Sequence, residues 1–371
     1  METIKVLQFP FSSNNGVTAY ATRNWEHLDK SKIQCDFAVV RKSFDPVWEA
    51  GIVKCGGGIK KLFYPPDRSE EEYAEKLYSL ISGHYDVVHL HTSFWKRFTV
   101  EQVCTACRIP KIIVHSHNTG IDLADEAARE KAERLHYELR DQFDPSLATD
   151  FCACSSKAAN WLFGDQVPQK KVKVVKNAIE VDQFLFDQAV RRRYRKKLGL
   201  DGCFVMGHIG RFSYQKNHAF LISLFQAVCS RVPNARLLLI GSGPLKKEIR
   251  EEVIRCAGAE GKVIFMGQRS DVPQLLQAMD VFCLPSIFEG FPLVLVEAQA
   301  SGLMCLTSDQ VDSEVRITKN LMQLPLDTKI WSDAVMSVSK GYKRESMYEE
   351  IAAAGYDIRR QIKLLERLYL E

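Results

Sequence analysis

Residues 280–302 read DVFCLPSIFEGFPLVLVEAQASG, a string that few architectures can accommodate. Val281-Phe-Cys-Leu284 is a short uninterrupted apolar run, the pattern of a strand covered on both faces. Pro292 stands where the first turn of a helix tolerates a missing N–H. Leu293-Val-Leu-Val-Glu-Ala-Gln-Ala300 is apolar around its circumference, so this helix is buried on most of its surface. A buried strand, a loop and a buried helix predict a parallel sheet layered between helices. Glu289 falls in the loop at what reads as an exposed start, and Glu297 falls inside the helix. A carboxylate in such a helix is costly unless it has partners. The free N–H groups at the helix start suit a phosphate, and Glu297 suits hydroxyl donors such as those of a sugar.

The strand–loop–helix unit recurs along the chain. Ile4-Lys-Val-Leu-Gln-Phe9 is an apolar strand, residues 10–16 form a loop, and a helix starts at Val17, which is how a doubly wound α/β fold opens. Cys35-Asp-Phe-Ala-Val-Val40 is the next strand, and Gly56-Gly-Gly58 predicts a mobile surface loop. Asp86-Val-Val-His-Leu-His91 and Lys111-Ile-Ile-Val-His-Ser-His-Asn118 are further strands with histidines at their ends. Ligands of an open parallel sheet bind beyond the carboxyl ends of its strands, which singles out His117, with Asn118 behind it. His89, His91 and His115 read instead as core histidines.

A second series begins with Phe204-Val-Met-Gly-His-Ile-Gly-Arg211, followed by Lys216, Asn217 and a helix. Two cations bracketing a short loop suit a diphosphate, because arginine engages two oxygens at once. Arg236-Leu-Leu-Leu-Ile-Gly-Ser-Gly-Pro244 and Val263-Ile-Phe-Met-Gly267 are the following strands, and the turn Gly241-Ser-Gly243 needs small residues for a close backbone approach. Residues 356–370 carry apolar positions at helical spacing.

In their order and wording these motifs resemble the retaining nucleotide-sugar glycosyltransferases of family four, the glycosyl transferases group 1. The densest likeness lies between Gly207 and Gly302, where Glu289 and Glu297 match the family's paired glutamates. The resemblance implies a GT-B fold: two Rossmann-like doubly wound domains facing a central cleft, residues 1–181 for the acceptor and 182–350 for the nucleotide sugar. Residues 351–371 would be a helix that either crosses back to the first domain or packs as an ordinary helix. It implies donor contacts from Gly210, Arg211, Lys216, Asn217, Gly241, Gly243, Gly267, Arg269, Gly290, Phe291, Leu293 and Glu297, with Glu289 on the donor sugar and Glu297 on the ribose. Arg211, Lys216, Glu289 and His117 would carry the chemistry. The loop with Asn15 and Gly16 is either an acceptor-side loop like the family's first one or a plain turn, and His117 and Asn118 would line the acceptor side. Ala178 departs from the family's usual glycine. No Asp-x-Asp pair lies in a suitable loop, so the expectation is a metal-independent reaction, without cofactor, on a nucleotide-diphosphate sugar such as a UDP-sugar. The acceptor expected is a saccharide or lipid-linked hydroxyl in exopolysaccharide or capsule assembly. Two other classes share the pattern: an epimerase or hydrolase of the same fold, and a non-catalytic nucleotide-binding module.

At 371 residues the chain suits two cores, and 46% hydrophobic with 26% charged residues is ordinary for a globular protein. No apolar run approaches the length of a membrane span. The start runs straight into a strand, so the expected location is the cytoplasm, at the inner face of the membrane if it associates peripherally. The net charge of +4 points to no nucleic-acid partner. The basic run Arg191-Arg-Arg-Tyr-Arg-Lys-Lys197 reads as the solvated face of a linker helix; attraction to an anionic membrane surface is the sharper alternative. The eleven cysteines lack paired metal-site spacing and read as reduced core residues.

Overall fold

A computed structural model describes every residue except 1–2, 13–15, 42–43, 64–68 and 257. Asn15 of the expected acceptor-side loop therefore lies outside the described residues. Contacts divide the chain into two units, Met1–Ile121 with Glu130–Asn177 and Ile358–Glu371, and Asp122–Arg129 with Ala178–Asp357.

The first unit carries seven strands: β1 (Ile4–Phe11), β2 (Ile33–Val39), β3 (Gly58–Lys61), β4 (Val87–Thr92), β5 (Lys111–Ser116), β6 (Asp150–Ala153) and β7 (Val172–Val174). They pair in parallel in the order β3-β2-β1-β4-β5-β6-β7. The second unit holds β8 (Phe204–Ile209), β9 (Ala235–Ile240), β10 (Val263–Gly267), β11 (Val281–Leu284), β12 (Met304–Ser308) and β13 (Leu321–Leu324), in the order β10-β9-β8-β11-β12-β13, again parallel throughout. Parallel neighbours need crossover connections, and the apolar runs are buried because helices cover the sheet. One core joins Leu7, Phe9, Val88, Leu90, Ile112 and Val114 to Leu77 and Leu162 on helices; the other joins Met206, Leu237 and Cys283 to Leu221, Phe225 and Trp331. In each sheet the order reverses beside the first strand, between β1 and β4 and again between β8 and β11.

Two readings of the sequence need correction here. Gly56-Gly-Gly58 is not a loose loop, since Gly58 opens β3 and a Cβ there would stand 1.9 Å from the Asp36 carboxylate. A Cβ on Gly57 would meet Ile52 at 2.7 Å and Trp25 at 2.9 Å, so close packing demands glycine at 57 and 58. The basic helix Gln188–Lys197 is only partly solvated: Arg191 and Arg195 turn inward onto the two oxygens of Asp280, at 2.5 and 3.2 Å. Asp280 also accepts from the backbone N–H of Val205, which ties this helix to the second sheet.

The last helix, Ile358–Leu370, belongs to the first unit. Lys111 donates to the carbonyl of Leu368 at 2.7 Å and the N–H of Asp29 donates to Glu366 at 3.0 Å.

Candidate active site

At the reversal point of the second sheet, the loops after β8 and β11 meet because their strands are neighbours. Asn217 adopts a left-handed conformation, φ 51°, and caps the helix His218–Cys229 by accepting from Phe220 N–H. That sharp turn leaves Lys216 just before the helix. Its Nζ lies 2.5 Å from Oε1 of Glu289, which also accepts from Ser286 Oγ at 2.6 Å, while Gln215 Nε2 donates to Oε2 at 3.1 Å. The backbone joins the same loops, with Ile287 N–H donating to the carbonyl of Gln215 at 2.9 Å and Gln215 Nε2 to that of Phe288 at 3.0 Å. Glu289 is 6% exposed, so it does not stand at an exposed loop start. It can be buried as a carboxylate because an ammonium, a hydroxyl and an amide satisfy it.

Arg211 is different: its side chain is half exposed, 4.0 Å from Asp122. Asp122 also accepts from the Gln215 N–H at 3.0 Å, and the Arg129 guanidinium lies 3.9 Å from the centre of the Tyr214 ring. Segment Asp122–Arg129 thus belongs to the second unit.

Backbone hydrogen bonds lace the strand-end loops together: Gly210 N–H to Ile240 C=O, Phe212 N–H to Ser242 C=O and Gly241 N–H to Gly267 C=O, all between 2.8 and 3.0 Å. Gly241 has φ +135°, and a Cβ on it would fall 1.9 Å from the carbonyl oxygen of Gly210; one on Gly243 would fall 2.3 Å from that of Phe212. The close approach foreseen for this turn is therefore, in the first instance, to the chain's own β8 loop. Gly267 ends β10 at φ +68°. Arg269 grips Asp271 through two nitrogens, at 2.8 and 2.7 Å, and this pairing holds the Asp271 carboxyl down at about 2. Gly290 and Phe291 are buried, the latter stacked on Tyr356 at 5.0 Å, and Leu293 opens the helix Leu293–Ala300 that carries the buried Glu297. Behind the loop, burial pushes His208 down to about 4 and His218 to about 2, so both rings are neutral.

In the first unit Gly16 opens the helix Gly16–His27, and Asn118 accepts from Thr119 N–H. His117 lies past the end of β5, 9% exposed, and shares a hydrogen bond with His91, one of the histidines read as separate core residues. Nε2 of His117 is 2.8 Å from Nδ1 of His91, and His89 is 3.0 Å from His115. Burial drives all four below the ordinary imidazole range, His89 and His117 to about 3. Asp122, Gln215, Ser286, Gln8 and Tyr369 escaped the sequence reading. Only Ser286 carried a local signal, the Pro-Ser step before Glu289.

Comparison with known proteins decides the family. Residues 190–357 match the model of glycosyl transferases group 1. Over 98% of this chain and 96% of the relative, the sequence is 30% identical to the "Putative glycosyltransferase EpsF" of Bacillus subtilis strain 168. The chain belongs to the group 1 glycosyltransferases. A more distant relative, the UDP-Gal:alpha-D-GlcNAc-diphosphoundecaprenol alpha-1,3-galactosyltransferase of Escherichia coli, is 27% identical over 63% of this chain and 60% of its own length. The crystal structure of Anabaena Alr3699/HepE in complex with UDP superposes with a TM-score of 0.75 over 99% of both chains at 17% identity. That likeness establishes the fold, two Rossmann-like parallel-sheet domains of the GT-B type. No helix among the described residues of this glycosyltransferase is long and apolar enough to cross a membrane.

Proposed function

We propose that this glycosyltransferase moves a hexose from a uridine diphosphate sugar to a hydroxyl of a lipid-linked saccharide in polysaccharide assembly, with retention at the anomeric carbon. The bond from that carbon to the diphosphate oxygen breaks, the acceptor oxygen bonds on the same face, and the acceptor's proton departs with the nucleoside diphosphate. The observation that carries the reading is Lys216 held on Glu289 by the loops of neighbouring strands. An ammonium has three N–H groups, and Glu289 uses one; the others are available to phosphate oxygens as negative charge grows on the leaving group. Arg211, half exposed, adds a two-pronged donor, and the start of the helix Leu293–Ala300 adds its dipole. These charges serve in place of a divalent ion. In this reading Glu289 accepts from donor sugar hydroxyls, Glu297 from the ribose, and backbone near Gly267 and Arg269 holds the base. Gly210, Asn217, Gly241, Gly243, Gly290, Phe291 and Leu293 shape the donor site, while Gly16, His117 and Asn118 serve the acceptor side. The donor and acceptor classes are supported by the name of the Escherichia coli relative and by the UDP in the Anabaena structure. Arg192, Arg193, Lys196 and Lys197 remain exposed on the helix Gln188–Lys197 and suit an anionic membrane surface.

The test is thermal protection by a panel of nucleoside diphosphates, followed by turnover of the corresponding sugars with and without chelator. UDP should protect most, and transfer should survive chelation. Preference for another nucleotide, or activity restored only by a divalent ion, would contradict the reading.

A further inference from the structure

Six side chains of the first unit, each less than a tenth exposed, form one unbranched series. His117 Nε2 meets His91 Nδ1 at 2.8 Å, His91 Nε2 meets Gln8 Oε1 at 2.7 Å, and Gln8 Nε2 meets Tyr369 Oη at 2.9 Å. Tyr369 Oη meets His89 Nδ1 at 2.7 Å, and His89 Nε2 meets His115 Nδ1 at 3.0 Å. Imidazole and phenol can donate or accept at these atoms. The amide of Gln8 alone has a fixed sense, with an oxygen that accepts and a nitrogen that donates.

That sense propagates both ways. The Gln8 oxygen requires the proton of His91 on Nε2, so Nδ1 of His91 accepts and His117 donates from Nε2. In the other direction Gln8 donates to Tyr369, Tyr369 to His89, and His89 to His115. Burial keeps all four rings neutral, with one N–H each, as the series requires. It ends on Nε2 of His115, buried and without a partner among the described residues. At the opposite end Nδ1 of His117 is left with a lone pair. Reversing the series would need the Gln8 amide to turn over and every proton along it to move together.

We propose that Gln8, held by Tyr369, is a positioning residue that fixes His117 as the Nε2–H tautomer and presents its Nδ1 as an acceptor for a substrate hydroxyl. The hydroxyl rests on the glycosyl-transfer reading above; the tautomer does not. His117 then orients a hydroxyl through a neutral ring and does not carry its proton away. His89, His91 and His115 also lie within 4.8 Å of one another, a spacing that a metal ion could bridge. Both nitrogens of His89 and of His91 are already engaged, so an ion would have to break the series.

The test uses full-length protein labelled with nitrogen-15 at histidine, with the His117 signals identified by their loss in His117→Gln. Long-range proton–nitrogen correlations at neutral pH should show a bare Nδ1 and a protonated Nε2 for His117. In Gln8→Leu, and more weakly in Tyr369→Phe, which keeps the aromatic ring, those signals should average or split between two tautomers. Turnover in Gln8→Leu should fall about tenfold with the donor KM unchanged. A protonated Nδ1 in the parent protein, or a tautomer untouched in both variants, overturns the proposal. So does a stoichiometric metal in the purified protein with the shifts of metal-bound imidazole. A tautomer lost without change in turnover overturns the substrate half alone, and leaves donor binding, measured separately, to judge the glycosyl-transfer reading.

Discussion

At the reversal point of the first sheet stand neutral imidazoles, three on β4 and β5 and His117 just past them, whereas beyond that of the second stand an ammonium, a carboxylate and a guanidinium. Both clusters gather at the reversal point of the same kind of sheet, and desolvation accounts for the contrast. The four histidines have only one another, an amide and a phenol as partners, so burial removes their charge. Lys216 and Glu289 face each other, and two further donors satisfy the carboxylate, so the charges can stay. A neutral cluster can orient hydroxyls, while a charged one can hold anions.

The largest expected effect comes from breaking the charged pair. Lys216→Ala strands a carboxylate that is 7% exposed in its side chain. Breaking a buried pair costs about 3–5 kcal/mol, so unfolding in denaturant should show a loss of that order, with transfer falling at least about a hundredfold. A variant as stable as the parent would show that water reaches Glu289. Next is Gly241→Ala, whose Cβ would collide with the Gly210 carbonyl. Overpacking of this kind costs about 1–3 kcal/mol, and the displaced β8 loop should weaken nucleotide binding in calorimetric titration. Arg211→Ala should raise the UDP dissociation constant about tenfold while leaving Tm almost unchanged, because the side chain is half exposed. A large loss of Tm would show that its contact with Asp122 supports the fold.

The smallest effect, absent at neutral pH, sharpens the other side of the comparison. His117 binds its proton at about 3 in the fold against 6.5 when free, so the unfolded chain holds more protons between those values. Its stabilising contribution is complete above about pH 6.5 and is lost as pH falls towards 3. His117→Gln should therefore show a shallower loss of stability on acidification, by up to about 1.4 kcal/mol per pH unit. An unchanged slope, measured by denaturant unfolding between pH 7 and 5, would mean the ring already protonates in the fold.

Much of this architecture is legible locally. Apolar runs such as Val281-Phe-Cys-Leu284 and Lys111-Ile-Ile-Val-His-Ser116 mark buried parallel strands, and the residues around Glu289 and Glu297 carry the family's wording. What the sequence hides is whatever depends on strand order. Lys216 and Glu289 meet only because β11 lies beside β8. Gln8 and Tyr369 sit near opposite ends of the chain, and no local pattern announces their contact. The three glycines at 56–58 suggested freedom, where Trp25 and Asp36, far back in the sequence, impose tight packing on Gly57 and Gly58. Likewise Arg191 and Arg195 look like their exposed neighbours in the basic run until Asp280 is placed beneath them.

The placement of Ile358–Leu370 has a consequence for how the molecule is made. The first unit is discontinuous, and the ribosome must translate Ala178–Asp357 before it reaches that helix. At about 5–20 residues per second this is a delay on the order of tens of seconds. Throughout it, the nascent first sheet has no Tyr369 to meet Gln8 and His89. The second unit, whose outlying segment Asp122–Arg129 is already made, can complete its sheet first. The half synthesised earlier is therefore finished last.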